Sequence, residues 1–154
     1  MIASGRSRGL PDAVMTAHLY NRRLDPQHPA TLSALTVDGL LRGRLGYQGV
    51  VISDDLQMGA IRAAYGWEQT VTAALAAGVD ILLIGNNLTY EADIVPRTVT
   101  LIRQLVAEGK ISPQRIDASW RRIQALKARL RPAVPAAPAM LPSTGPAGSA
   151  GAAP

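Results

Sequence analysis

Residues 49–58 read GVVISDDLQM and place two carboxylates directly after an apolar run. The three consecutive β-branched residues after Gly49 are typical of a strand that is buried on both faces of a parallel sheet. Asp54 and Asp55 then stand where this strand is expected to end. In parallel α/β folds, ligands bind and chemistry occurs beyond the carboxyl ends of the strands. The stretch therefore predicts an α/β fold with a candidate site at one edge of its sheet.

Two further runs repeat the strand pattern on either side of this stretch. Residues 12–18 (DAVMTAH) lie upstream of it and residues 79–84 (VDILLI) lie downstream. Each run is short, apolar and bounded by polar or turn-forming residues, which is the pattern of a buried strand. His18 ends the first run and Asn86 follows the last one. Because the carboxyl ends of parallel strands meet at one edge, these two side chains are expected near Asp54.

Helical patterns alternate with the three runs. The spacing of apolar residues predicts helices over 31–45, 67–77 and 98–108, and a fourth helix that opens at residues 112–113. A glycine follows each of the first three, as is common at helix ends. Thr31 or Ser33 is expected to cap the first helix. Alternating strands and helices at this spacing predict a parallel sheet with right-handed crossovers.

The composition excludes several kinds of chemistry. The chain has 154 residues and no cysteine, so it has no disulfide, no thiolate metal site and no cysteine nucleophile. No run approaches the roughly 18 apolar residues that cross a bilayer, so no membrane partner is expected. The first residues lack the apolar core of a secretory signal, which predicts a cytoplasmic location.

The formal net charge of +5 raises the question of a nucleic-acid partner. Residues 1–96 carry seven arginines against nine acids, a net charge of −2, whereas residues 97–131 carry nine Lys and Arg against two acids, a net charge of +7. The excess lies on one helical stretch that carries no recognisable nucleic-acid motif. We therefore expect a solvated helix face and no nucleic-acid partner.

The end of the sequence differs sharply in composition from the rest. Residues 132–154 carry no charge and no aromatic side chain, and they consist largely of Pro, Ala, Gly and Ser. Such a segment cannot bury enough apolar surface to offset the entropy of ordering it. We expect one domain over residues 1–131 and a disordered Pro/Ala-rich tail over residues 132–154.

The residues alone leave three roles open for Asp54. It is compatible with a catalytic carboxylate on a rigid strand end, and equally with a cap that accepts backbone N–H groups of the following loop. Together with Asp55 it is also compatible with a Mg²⁺ site, although two adjacent carboxylates are a weak signal for a metal. We therefore expect neither a metal nor a cofactor.

A resemblance to a known family favours one of these three roles of Asp54. The segments that carry it, besides residues 49–58, are 14–18 (VMTAH), 29–33 (PATLS), 39–42 (GLLR), 76–83 (AAGVDILL) and 115–119 (RIDAS). Together they closely resemble the N-terminal barrel of glycoside hydrolase family 3, and most of all its branch of bacterial β-N-acetylhexosaminidases. The resemblance runs from about residue 9 to 131, and the SDDLxM motif in its GVVI context is the most specific part of it.

The resemblance implies a retaining glycoside hydrolase that needs no cofactor. The family's catalytic nucleophile falls on Asp54, which would attack the anomeric carbon, form a covalent glycosyl-enzyme and be released by water. The implied substrate is a terminal β-linked N-acetylglucosamine, with peptidoglycan fragments as its expected source. Activity on β-glucosides, which occurs in the wider family, is the alternative.

Four more residues are expected at the sugar-binding side of the site, namely His18, Asp55, Met58 and Asn86. A second carboxylate beside a nucleophile would repel its negative charge, so we assign Asp55 a structural role as well. Packing is an equally good interpretation for Met58, and ending a strand is one for Asn86. His18 is not expected to be the acid/base, because nothing in the sequence matches the family's Lys-His-Phe-Pro-Gly-His-Gly type loop.

The length implies a partial barrel if the resemblance holds. The expected fold is the last three strand–helix units of a (β/α)8 TIM-type barrel, with the acid/base loop and the main sugar contacts outside the chain. Such a chain is expected to be nearly inactive alone, since general acid catalysis contributes about 10² to 10⁴ in rate. A noncatalytic remnant that completes its fold with a complementing chain is the other hypothesis.

Overall fold

The computed structural model describes residues 11–87 and 89–130. Along the chain it contains strand β1 (Ala13–Met15), a 3-10 turn (Ala30–Leu32), a π-type helix (Leu35–Arg44), strand β2 (Val50–Ile52) and helices α1 (Gly59–Arg62), α2 (Trp67–Ala77), α3 (Ile94–Ala107) and α4 (Pro113–Leu130). The predicted tail at 132–154 lies outside the described residues. Strands and helices alternate along the chain as the sequence predicts.

The sheet is parallel and its centre is β2. β1 pairs with β2 in parallel, with Ala13 opposite Val50 and Met15 opposite Ile52. On the other side of β2 lies the third run, which is joined to it by a single parallel bridge between Ile52 and Ile81. The three runs thus lie side by side in the predicted direction, and their carboxyl ends share one edge.

The third run does not form the regular strand that the sequence predicts. Ile81 N–H donates to the carbonyl of Val51, and the N–H of Ser53 donates to the carbonyl of Ile81, so the run pairs with β2 at Ile81. The next contact uses a side chain, because Leu83 N–H donates to Ser53 Oγ at 2.8 Å. The ladder of backbone hydrogen bonds is interrupted there, and the prediction of a strand over 79–84 is wrong, because only an isolated bridge at Ile81 forms and the other five residues lie outside any strand.

Two of the four predicted helices differ from expectation. The first is a 3-10 turn followed by a π-type helix, in which Leu45 N–H donates to the carbonyl of Leu40. Gly39 and Gly43 lie inside this helix, and glycine weakens an α-helix relative to other residues. Helix α3 begins at Ile94 rather than at residue 98, since Pro96 falls in its first turn, where proline is tolerated.

The other two helices are confirmed. Helix α2 covers the predicted residues 67–77, and Gly78 ends it with a left-handed φ of 107°, a conformation that side chains rarely adopt. Helix α4 opens at Pro113 as predicted. Ser33 ends the 3-10 turn, and its Oγ accepts the N–H of Thr36 at 3.1 Å in the first turn of the π-type helix. The N-cap residue of that helix is Ala34, so the prediction that Thr31 or Ser33 caps it is wrong.

Helix α2 joins two apolar clusters. One cluster packs it against β2 and the π-type helix, and its fully buried members include Val37, Val51 and Ala74. The second cluster packs Val71 on the same helix against Leu105 of α3. Burial on both sides of α2 fixes the helix layer on the sheet.

Asp80, at the start of the third run, binds several elements together. Its side chain is fully buried, and one carboxylate oxygen accepts Arg42 Nη2 at 2.7 Å and the N–H of Val51 at 3.0 Å. The other oxygen accepts Ser119 Oγ at 2.6 Å and Arg122 Nη1 at 2.9 Å. This cluster lies at the amino end of the third run, opposite the end where the sequence places the candidate site.

Arg115 completes the cluster around Asp80. Its guanidinium donates to the carbonyls of Leu75 and Val79 and to Ser119 Oγ. Burial lowers the pKa of the Arg115 guanidinium, and the Asp80 carboxylate opposes this shift. The expectation of a purely solvated basic face on the last helix is therefore wrong for Arg115 and Arg122, whose side chains are only 17% and 24% exposed.

Replacing the buried carboxylate tests how much this cluster stabilises the fold. Asp80→Asn should lower the free energy of unfolding by about 3–5 kcal/mol, because it removes the buried carboxylate that three partly buried guanidiniums share. Urea unfolding followed by circular dichroism measures the change. Asp117→Asn, at an exposed position of α4, is the control and should stay within about 0.5 kcal/mol of the unaltered chain. A loss at Asp80 no larger than the control's would contradict this role.

Asp25 holds the loop between β1 and the 3-10 turn. The side-chain hydrogen bond from Ser33, together with the backbone N–H groups of Gln27 and His28, lowers the pKa of Asp25 to about 2 from 3.8. The folded state therefore favours the ionised carboxyl more than the unfolded state does. Its contribution to stability is fully present above about pH 4 and is lost as the pH falls through about 2.

The loop gives a prediction about acid stability. Asp25→Asn should weaken the dependence of the free energy of unfolding on pH between about 4 and 2, because the substituted side chain binds no proton in that range. Urea unfolding at several pH values within this range measures the slope for both proteins. Equal slopes would show that Asp25 has the same pKa in the folded and unfolded chain.

Candidate active site

The candidate site is built around the residue that follows β2. Ser53 is fully buried and its backbone and hydroxyl are both bonded to the third run. Asp54 comes next, half-buried at the carboxyl end of β2. Its Oδ1 accepts the N–H of Asp55 at 2.8 Å, and among residues 11–87 and 89–130 its other oxygen makes no hydrogen bond. Asp54 thus carries one constrained and one available carboxylate oxygen on a rigid support.

Hydrogen bonds hold both the carboxylate and the backbone carbonyl of Asp55. Its Oδ1 accepts the N–H of Gln57 at 3.0 Å and the N–H of Gly85 at 2.9 Å. Its backbone carbonyl accepts the N–H of Met58 and a ring nitrogen of His18. The carboxylate is thereby engaged by backbone N–H groups, as the structural role assigned from the sequence requires.

His18 reaches the loop after β2 from the end of β1. Its Nε2 lies 2.8 Å from the carbonyl oxygen of Asp55, and its Nδ1 lies 3.0 Å from Thr31 Oγ1. A carbonyl oxygen only accepts, so Nε2 carries the proton of this hydrogen bond. The structure thus brings His18 to the Asp54–Asp55 segment, as the alignment of strand ends predicts.

Asn86 lies in the loop after the third run, and Met58 lies in the loop after β2. Asn86 has a left-handed φ of 50°, and its side chain exchanges hydrogen bonds of 2.8 and 3.1 Å with the backbone of Glu91. Its side chain therefore closes the turn that leads into α3, which agrees with the strand-ending interpretation. Met58 is 38% exposed and remains available to a ligand. Substrate contact by either residue stays a prediction.

Sequence reasoning overlooked two polar residues that hold this region in place. Gln57 is 2% exposed, and its Oε1 accepts the N–H of Asn86 at 2.6 Å. Thr31 is fully buried and bonds to both His18 and Thr16. A buried glutamine at the variable position of the SDDLxM motif gives no periodic signal, and Thr31 was visible only as a possible helix cap.

Within the two described ranges, no group of three or more histidine and acidic side chains is arranged to hold a metal ion. Nor does any helix in that part of the chain have both the length and the apolar character that crossing a membrane requires.

Comparison with known proteins assigns a family to this arrangement. Residues 9–126 match the domain described as the glycosyl hydrolase family 3 N terminal domain. The chain belongs to glycosyl hydrolase family 3. Its described residues accordingly share the α/β fold of that family's N-terminal barrel domain, of which the chain contains a part.

Two relatives match this chain over part of their own length. An uncharacterized secreted glycosyl hydrolase of Arthroderma benhamiae is 38% identical over 120 residues, which are 77% of this chain and 33% of that protein. A β-hexosaminidase of Tolumonas auensis is 43% identical over 79 residues, which are 51% of this chain and 23% of that protein.

Solved structures of family 3 enzymes overlay well on the chain. The β-N-acetylglucosaminidase from Paenibacillus sp. str. FPU-7 has a TM-score of 0.70 and 41% identity, covering 77% of this chain and 22% of its own. That from Thermotoga maritima has a TM-score of 0.68 and 30% identity, covering 75% and 25%. The chain thus spans between about a fifth and a third of the length of these relatives.

The hydrogen bonds of Asp55 give a prediction about the stability of the loop after β2. Asp55→Ala should lower the free energy of unfolding by about 1–3 kcal/mol, since the partly buried N–H of Gln57 and the exposed N–H of Gly85 both lose a charged acceptor. Hydrogen exchange should speed up at the amides of Gln57 and Gly85. Asp55→Asn keeps an acceptor oxygen and should lose less than half as much. Equal losses in the two variants would mean that the charge of Asp55, rather than its geometry, holds the loop.

Proposed function

We propose that this chain supplies the nucleophile of a retaining glycoside hydrolase that removes terminal β-linked N-acetylglucosamine, with peptidoglycan fragments as the expected substrates. The observation that carries the proposal is Asp54, a half-buried carboxylate with one available oxygen at the carboxyl end of β2 in a family 3 domain. Relatives named β-hexosaminidase and β-N-acetylglucosaminidase support the choice of sugar.

The proposed chemistry proceeds in two steps. Asp54 attacks the anomeric carbon and forms an ester bond with it, while the glycosidic C–O bond breaks and the leaving oxygen takes a proton from a general acid. Water then attacks the same carbon, gives up a proton to the conjugate base and frees Asp54 with retained configuration. His18 is a poor candidate for this acid, because both of its ring nitrogens are engaged within the fold.

The general acid is proposed to come from a complementing segment or chain. We propose that this chain carries the last three strand–helix units of an eight-unit barrel and is located in the cytoplasm. An apolar groove of about 330 Å³ between the third run, α3 and α4 supports a missing neighbour. Trp120 and Val95, which line this groove, are 61% and 60% exposed. Burial of such a surface would favour completion of the barrel.

One relative favours a second substrate class. A protein of Cellulomonas fimi named β-N-acetylglucosaminidase/β-glucosidase is 32% identical over 127 residues, which are 76% of this chain and 21% of that protein. We therefore propose β-glucosides as the alternative substrates. Rates on the matched 4-methylumbelliferyl N-acetylglucosaminide and glucoside distinguish the two.

A chimera tests the proposed nucleophile in a complete domain. Residues 9–126 of this chain replace the matching segment of the Paenibacillus enzyme, and hydrolysis of 4-methylumbelliferyl N-acetyl-β-glucosaminide is measured. Asp54→Asn should lower kcat by about 10³-fold or more, because no carboxylate then attacks the anomeric carbon. A fluorosugar inactivator should add its mass to the peptide that contains Asp54.

Asp93→Asn is the matched control for this experiment. Asp93 is an exposed aspartate before α3 whose side chain makes no capping hydrogen bond, so the variant should retain full activity. Label on another peptide, or undiminished activity in Asp54→Asn, would refute the nucleophile. A well-folded chimera without activity would favour the hypothesis of a noncatalytic remnant, and sequencing of the DNA next to the coding region would then show whether the acid/base loop exists.

A further inference from the structure

A chain of hydrogen bonds connects β1 to the backbone beside Asp54. It starts at Thr16, whose hydroxyl lies 2.9 Å from that of Thr31 and 3.4 Å from the carbonyl oxygen of Ile52. Thr31 Oγ1 lies 3.0 Å from His18 Nδ1, and His18 Nε2 ends the chain at the carbonyl oxygen of Asp55. His18 Nε2 donates to the Asp55 carbonyl and Nδ1 is hydrogen-bonded to the Thr31 hydroxyl, so both ring nitrogens have a partner.

The last bond of this chain acts on the peptide group next to Asp54. The Asp55 N–H donates to Asp54 Oδ1, and the Asp55 carbonyl, on the other side of the same residue, is held by His18. The Asp55 carboxylate is held in addition by Gly85, from beyond the third run. A rotation of Asp55 would therefore turn its N–H away from Asp54. His18 supplies the restraint from the β1 side.

We propose that His18 is a positioning residue that orients the Asp54 carboxylate through the Asp55 backbone, and that it neither transfers a proton nor binds the sugar. This inference rests on the proposed nucleophilic role of Asp54. His18 suits the task because its ring is fixed at both nitrogens, whereas a freely rotating side chain would restrain the carbonyl less. Thr31 is the residue that fixes the ring, and it is fully buried.

The inference predicts a specific kinetic signature in the chimera. His18→Leu should lower kcat by about 10- to 100-fold, because small displacements of an attacking group have effects of this size, while KM changes less than about twofold. His18→Gln places an amide N–H near the position of Nε2 and should recover most of the loss. His28→Gln, at a histidine whose side chain is 41% exposed, is the matched control and should keep full activity.

A second background separates positioning from direct contact with substrate. In Asp54→Gly, azide attacks the anomeric carbon instead of the carboxylate, the C–O bond breaks toward the 4-methylumbelliferone leaving group, and a glycosyl azide forms. Adding His18→Leu should leave the azide-dependent rate unchanged, since His18 then has no carboxylate to position. The same fold loss in both backgrounds would overturn the inference in favour of a direct contact.

The unaltered 154-residue chain provides a readout that is independent of activity. Nitrogen-15 spectra of its histidines should show His18 protonated at Nε2, and amide exchange at Asp55 and Met58 should accelerate in His18→Leu but not in His28→Gln. A proton on Nδ1 alone, or unchanged exchange, would overturn the inference.

These measurements distinguish failure of the positioning role of His18 from failure of the proposed function. Activity that survives Asp54→Asn refutes the nucleophile and leaves the spectra and exchange rates to decide the geometry. Activity that requires Asp54 but is indifferent to His18→Leu refutes the positioning role alone.

Discussion

The fold depends most on one buried carboxylate. Asp80 has no exposed side-chain surface, and it is bonded to the π-type helix through Arg42, to β2 through Val51 and to α4 through Ser119 and Arg122. A buried charge is tolerated only when its partners are in place, so these four parts of the chain must assemble together. The cluster fixes the register of the third run against β2. At the far end of that run, the same register places Gly85 opposite Asp55.

The candidate site is rigid because this register fixes the loop after β2. The loop after β2 is held from the third run by Ser53 and Asp55, and from β1 by His18. No long or flexible side chain intervenes between these restraints and the backbone of Asp54. A carboxylate that is held in this way loses little conformational entropy when it reacts with a carbon atom. The proposed nucleophilic role of Asp54 requires such a carboxylate.

Much of the fold could be predicted from the sequence, because local patterns determine it. The apolar runs gave two strands and their direction, and Gly78 and Pro113 marked helix ends through their own backbone preferences. The interrupted third run could not be foreseen, since it depends on the Ser53 hydroxyl replacing a carbonyl across the sheet. The Asp80 cluster could not be predicted either, because the residues that bind Asp80 lie about 30 to 42 positions away from it in the chain. At the site, strand ends predicted that His18 would approach Asp54, but not which of its nitrogens would bind there.

The placement of Asp80 and Asp54 at opposite ends of the sheet has an evolutionary consequence. Substitutions in the loops that follow the strands alter what meets Asp54 without touching the arginines that surround Asp80, and the reverse also holds. Selection can therefore change what binds at the carboxyl end of the sheet and the thermal stability of the fold as nearly independent traits. A lineage carrying this arrangement is free to vary the loops beyond the carboxyl ends of its strands while the amino end of its sheet stays the same.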